Sequence, residues 1–156
     1  TIALRDELCP NAKVSVLSNA TMIDRQSVRD ALMKVDNNIL KLDSAFDETV
    51  RLIDDPNSDD YSVRKTVDNM KLFGKHIIIQ TMFLRGEYKG QIVDNTAEKE
   101  VAAWLELIKE IMPPKVMIYT IDRDTPAQNL RKVSVEELRR VAERGEKPGI
   151  ACSVAG

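Results

Sequence analysis

The chain has 156 residues, 43% of them hydrophobic, with 23 Lys and Arg set against 25 Asp and Glu for a formal net charge of −2. That is the size of one ordinary domain, long enough for a hydrophobic core without disulfide or metal staples, and its interspersed, nearly balanced charges give no basic face, so nucleic acid is not indicated as a partner. No apolar run is long enough to cross a bilayer and no basic-then-apolar leader opens the sequence, so no membrane partner is expected and the cytosol is the default compartment.

The chain opens on Thr1, and Ile2, Leu4 and Leu8 read as the tail of a helix, which suggests a missing beginning. From residue 14 onward, short β-branched runs alternate with amphipathic segments. Strands are expected at residues 14–19, 38–43, 76–83, 115–121 and 150–154. Between the first two, Val28, Ala31, Leu32 and Val35 follow Asp24, an N-cap residue type, at the spacing of a helix with one buried face. A second helix is expected from Ser62, burying Val63, Val67, Met70 and Phe73. A third follows Asn95, with Val101, Trp104, Leu105, Ile108, Ile111 and Met112 as its apolar stripe up to Pro113 and Pro114. Ser134 and Glu137 read as a capping box for a last helix through Val135, Leu138, Val141 and Ala142, ended by Gly145 and the Pro148-Gly149 pair. Strands separated by whole helices cannot be hairpin partners, so they should lie parallel with right-handed crossovers, and the class is α/β.

Some polar features read as structural. Residues 54–61, Asp-Asp-Pro-Asn-Ser-Asp-Asp-Tyr, form a turn-rich, solvated connection without the spacing of a calcium loop. Cys9 and Cys152 lie almost a chain length apart and read as buried or incidental thiols, and no metal ligands are assigned. His76, at the start of a strand, falls on the rim opposite to where α/β sites gather.

The carboxyl ends of the strands are where polarity collects. The first ends in Ser18 and Asn19, the second in Lys41, Asp43 and Ser44, the third carries Gln80 and Thr81, and the fourth runs from Tyr119 and Thr120 through Ile121 to Asp122 and Arg123. In parallel α/β folds that rim is the usual binding surface. Lys41 and Asp43, two apart, share a strand face, and the spacing leaves open whether they satisfy each other or serve a ligand. Asp122 and Arg123 are likewise either a surface ion pair or ligand-facing.

Taken in order, VSVLSNATMI, NNILKLDSAFDETVRLIDDP, HIIIQTMFLRG, KVMIYTIDRDTPA and VSVEELRRVA resemble the later part of radical S-adenosylmethionine (radical SAM) iron-sulfur oxidoreductases, in the style of glycyl-radical activating and wybutosine-synthesis enzymes. The resemblance covers nearly the whole chain. It implies a partial (βα) barrel of TIM type, with S-adenosylmethionine and a [4Fe-4S] cluster bound at the strand carboxyl ends, and residues 1–156 as a single domain forming its C-terminal part. It further implies that Ser18 and Asn19 approach the cofactor and substrate, that Lys41, Asp43 and Ser44 hold the methionine carboxylate and ribose, and that Gln80, Thr81, Tyr119, Thr120 and Ile121 lie along the cofactor, the last three beside the adenine. Asp122 and Arg123 would face the substrate. The implied reaction is reductive cleavage of S-adenosylmethionine to a 5′-deoxyadenosyl radical that abstracts hydrogen, fed by an electron donor and acting on an unidentified substrate.

Two family motifs are missing from this sequence: the CxxxCxxC that holds the cluster and the glycine-rich strand end that holds the cofactor's amino group. The expectation is therefore a C-terminal fragment, inactive alone and without its own cluster, whose exposed sheet edge favours a homodimer. Two other readings remain: an aldolase-like half barrel with Lys41 as Schiff-base nucleophile and Asp43 as acid or base, and a non-catalytic α/β binding or regulatory module.

Overall fold

In a computed structural model of the chain, which describes residues 1–122, 127, 129–146 and 149–156, the β-branched runs become strands β1 (Ser15–Ser18), β2 (Asn37–Lys41), β3 (Ile78–Phe83), β6 (Lys115–Thr120) and β8 (Ala151–Ala155). They pair in the order β1-β2-β3-β6-β8, every pair parallel. The register between β3 and β6 runs from Ile78 opposite Lys115 to Phe83 opposite Thr120. The expected α/β class and its five parallel strands are what the chain forms.

The helices are α1 (Ile2–Leu8), α2 (Gln26–Leu32), α3 (Asp47–Asp54), α4 (Val63–Lys71), α5 (Glu98–Ile111) and α6 (Val135–Glu146). The core brings helix residues Val67, Met70, Trp104, Ile108 and Leu138 onto strand residues Leu40, Ile79, Val116 and Ile118, each fully or almost fully buried. Because side chains alternate along a strand, the other face of the same strands carries Leu17, Ile39, Lys41, Ile78, Gln80, Met82, Met117 and Tyr119. That face is only partly covered, with Leu17 60% exposed. Among the described residues no helix is long and apolar enough to cross a membrane.

Several local expectations give way to tertiary contacts. Asp24 does not cap α2; Arg25 takes the cap position without a side-chain hydrogen bond, and Asp24 instead offers its backbone carbonyl to Arg29. Half of the capping box forms, Glu137 N–H donating to Ser134 Oγ at 3.2 Å, but the Glu137 carboxylate turns away to pair with Arg85. Gly145 does not end α6. It lies inside the helix, where an added Cβ would come within 3.1 Å of Cys152 Sγ on β8, so the missing side chain permits close helix-sheet packing.

A second, three-stranded antiparallel sheet, β5-β4-β7, is absent from the sequence reading. β4 (Arg85–Tyr88) and β5 (Gln91–Asp94) form a hairpin around Lys89 and Gly90, both at positive φ as tight two-residue hairpin turns require. β7 (Leu130–Arg131) pairs on the other side of β4, at Gly86, where a Cβ would collide with the Asn129 carbonyl oxygen.

Candidate functional site

The carboxyl end of β2 carries the densest charge on the open side of the sheet. Lys41 closes the strand, and its ammonium lies 2.8 Å from Asp43 Oδ2 and 2.5 Å from Asp54 Oδ1, the latter in the last turn of α3. Asp43 is 1% exposed; its Oδ1 accepts the Met82 N–H at 2.7 Å, which ties the end of β2 to the end of β3. Asn95, 1% exposed, completes that tie. Its Nδ2 donates to the Asp43 and Met82 carbonyls at 2.8 and 2.7 Å, and its Oδ1 accepts the Leu84 N–H at 2.8 Å.

One cation therefore stands between two carboxylates, and the group carries a net charge of minus one when all three are ionised. Burial pushes the Asp43 carboxyl above the usual aspartate range and the nearby Asp54 charge adds to this, while Lys41 opposes both. Burial also works against the Lys41 ammonium, but the charges of Asp43 and Asp54 outweigh it and hold its pKa above the ordinary lysine value. An amine held protonated in this way is a poor Schiff-base nucleophile, which counts against the aldolase-like reading. Tyr119 and Tyr61 are both raised, mainly by burial, and both sense the Asp43 and Asp54 charges, Tyr61 after its hydrogen bond with Thr66.

Beside this group opens a cleft of about 660 Å³. Its walls come from the end of α3 (Leu52, Ile53, Asp54, Asp55), from the ends of β3 and β6 (Met82, Leu84, Tyr119, Thr120, Ile121, Asp122) and from the small sheet (Tyr88, Val93, Leu130). Asp54 thus belongs to both the ion group and the cleft. On the open side the buried Gln80 Oε1 accepts no hydrogen bond, whereas Asp43 Oδ2 is met by the Lys41 ammonium; Gln80 stands opposite Lys41 in the β2-β3 register.

The residues singled out by sequence separate by strand parity. Lys41, Asp43, Gln80 and Tyr119 fall on the open side, Tyr119, Ile121 and Asp122 reach the cleft, and Asp122 also pairs with Lys132 at 3.3 Å. Thr81 and Thr120 fall on the helix side. Thr81 Oγ1 donates to the Leu42 carbonyl and accepts from Trp104 Nε1, and Thr120 Oγ1 donates to the Phe83 carbonyl and accepts the Val133 N–H, so both hydroxyls are committed to the frame. Thr120 also lines the cleft, between Tyr119 and Ile121. Ser44 Oγ donates to Glu100 Oε2 on α5 and accepts the Phe46 N–H. Ser18 and Asn19 sit at the end of edge strand β1, where they accept hydrogen bonds from Ala20 and Thr21 within a local turn, outside the cleft wall. Arg123 lies outside the described residues.

Sequence reasoning missed Asp54, Asn95 and Tyr88. Asp54 opens the polar run 54–61 read as a solvated connection, yet its side chain is 14% exposed. The signal available was the amphipathic stretch before it, which makes Asp54 the end of a helix packed beside the rim.

A one-layered parallel sheet with helices outside and a charged rim at its carboxyl ends is the architecture of an open (βα) barrel wall. Comparison with solved structures makes that specific: the chain has the fold of radical SAM enzymes. It superposes on a radical SAM methyltransferase from Sphaerobacter thermophilus with a TM-score of 0.68 and 14% identity, over 97% of this chain and 43% of that one. A domain of a pyruvate-formate lyase-activating enzyme from Bacteroides vulgatus gives 0.67 at 12% identity, over 99% and 88%. Streptococcus suis SuiB bound to S-adenosylmethionine gives 0.66 at 16% identity, over 99% and 35%. No protein-family model matches the sequence. By sequence, 131 residues are 25% identical to the GTPase Obg of Brachyspira hyodysenteriae, covering 81% of this chain and 18% of that protein. The chain thus spans less than half of the S. thermophilus and S. suis enzymes and under a fifth of the Brachyspira protein.

Proposed function

We propose that this chain is the C-terminal part of a radical SAM enzyme and that its cleft receives the adenosyl portion of S-adenosylmethionine. The single observation that carries the reading is the open face of the sheet. Parallel sheets are normally covered on both sides, and a barrel wall is the arrangement in which one face looks inward to a ligand. Here that inward face ends in the Lys41, Asp43 and Asp54 group and opens on a cleft.

The residues fit part of the cofactor. Met82, Ile121 and the Tyr119 ring give apolar flanks of the kind adenine needs, and the unpartnered acceptor Gln80 Oε1, with the Asp54 carboxylate, matches hydroxyl and N–H donors. When bound, the cofactor supplies hydrogen-abstraction chemistry; this chain's part is to bind it, orient it and wall off solvent.

The cluster does not fit. Cys9 follows α1 ahead of edge strand β1, and Cys152 lies on β8, the opposite edge strand, four strand spacings or roughly 19 Å from β1. Burial, with Glu146 nearby, pushes the Cys152 thiol up to about 11, away from the thiolate that a cluster ligand must be. Cluster ligands and the electron donor would therefore come from elsewhere in the enzyme.

Amide spectra of the chain titrated with S-adenosylmethionine test the reading. Shifts concentrated at the ends of β2, β3 and β6 and at Tyr88 are expected. Shifts confined to the helical layer, or none at millimolar cofactor, overturn it.

A further inference from the structure

The small sheet β5-β4-β7 sorts its residues by face. Directly opposed residues of an antiparallel pair lie on the same side. The register therefore puts Tyr88, Val93 and Leu130 on one face with Gly86 and Gln91, and the charged Arg85, Glu87, Asp94 and Arg131 on the other with Ile92. Tyr88, Val93 and Leu130 all line the cleft, and the small sheet brings no charged side chain to it.

Two further features set this face apart from ordinary core. Leu84 and Val93 are 2% and 3% exposed, yet neither belongs to the continuous core packed between the main sheet and its helices. With Tyr88 and Leu130 they form a separate apolar surface that borders the cleft. That surface is also held from behind. Asn95 fixes its base through the Leu84 N–H and the Asp43 and Met82 carbonyls, while Arg85, on the outer face, donates to Thr96 Oγ1 at 2.5 Å and to the Glu137 carboxylate on α6. A wall that is hydrogen-bonded at its base and back and apolar in front is preorganised for an apolar ligand.

We infer that this face seats a hydrocarbon group of the substrate, aliphatic or aromatic, and that Tyr88, Val93 and Leu130 select it. The inference rests on the proposed adenosyl site. Hydrogen abstraction requires the substrate beside the adenosyl group, and Met82, Tyr119 and Ile121, the flanks assigned to adenine, line the same cleft as the small sheet. A cleft of about 660 Å³ shared with that group has room for a body of side-chain size and not for a protein surface. Each methylene buried against such a wall tightens binding by about fourfold, so the face discriminates by apolar size.

Amide spectra of the full chain test this when it is first titrated with methylthioadenosine and then, with that ligand present, with N-acetylleucinamide, N-acetylserinamide or 4-methylpentanamide. N-acetylleucinamide is expected to bind about tenfold more tightly than N-acetylserinamide, with shifts at Val93 and Leu130. The third probe keeps the leucine side chain and lacks the acetylamino group. Equal binding of 4-methylpentanamide assigns the hydrocarbon to a free small molecule, and binding several-fold weaker than N-acetylleucinamide assigns it to a peptide residue. In Tyr88→Ser and Leu130→Ser, both at half-buried positions, the preference for leucine over serine is expected to shrink several-fold. If methylthioadenosine binds but N-acetylserinamide matches N-acetylleucinamide, or the preference survives both substitutions, this inference falls and the adenosyl site stands. If methylthioadenosine does not bind, the adenosyl site falls and the assignment of this wall to a substrate falls with it.

Discussion

On its helix side the five-stranded sheet presents Leu40, Ile79, Val116 and Ile118 to Trp104 and Ile108, every one of them at most 1% exposed. On the other side the same strands present Leu17, 60% exposed, with Lys41, Gln80, Met82 and Tyr119. The two faces differ little in the kind of residue at their centres: Ile39, Ile78 and Met117 on the open face are as apolar as their covered neighbours. The difference is in what lies against them. A packed helix layer holds the hydroxyls of Thr81 and Thr120 in the frame, though it leaves Asn38 Oδ1 without a partner, and on the open face Gln80 Oε1 is likewise without a donor. Contact with neighbouring layers, and not hydrophobicity along the strand, separates frame from site.

The sharpest way to break that comparison is at Trp104. Its ring meets Phe83 edge-on at 5.4 Å, and its Nε1 donates to the Leu42 carbonyl and Thr81 Oγ1. Trp104→Ala should lower unfolding free energy by about 3–5 kcal/mol in urea denaturation, since it empties a large buried volume.

An intermediate effect is expected at Asp43, where the covered and open regions meet. Its carboxyl is raised above the ordinary value of 3.8, so its folded form binds a proton more tightly than the unfolded chain does. The corresponding stability is fully present below that value and declines as pH rises through the folded pKa. Asp43→Asn has no such loss. Measured across about pH 4 to pH 8, the stability difference should therefore move in favour of the variant, by on the order of 2 kcal/mol. A difference that is flat with pH, or that moves toward the wild type, contradicts the raised carboxyl.

The smallest effect belongs to the open face. Leu17→Lys should change the stability of this chain by no more than about 0.5 kcal/mol, because little lies over that side chain to be lost. A loss near 2 kcal/mol would mean that the face is covered, for instance by a second copy, and sedimentation of the wild-type chain would then show a dimer.

Much of the frame was legible in the sequence. The five parallel strands follow from β-branched runs separated by whole helices, and the stripe from Val101 to Ile111 becomes α5 with its apolar residues buried as their spacing requires. The pair Lys41 and Asp43 was legible as well, because two-residue spacing fixes a shared face. The hairpin around Lys89-Gly90 was not, since RGEYKGQIVD lacks a strong alternation and is held partly by β7, about forty residues farther on. Asp54 and Asn95 were not legible for a related reason. Each is an ordinary polar residue at a helix end or loop, and acquires its role from partners 13 and 52 residues away.

Local rules thus fixed which segments are strands and helices, because periodicity and turn chemistry act within a few residues. Strand parity alone should also have assigned Thr81 and Thr120 to the same side as Ile79 and Ile118. What only tertiary structure decided is which side is covered, that Lys41 already stands between two acids, and that Gln80 Oε1 finds no donor among the described residues. Those properties depend on long-range packing and on the sum of charges within a few ångströms, and no stretch of neighbouring residues encodes either.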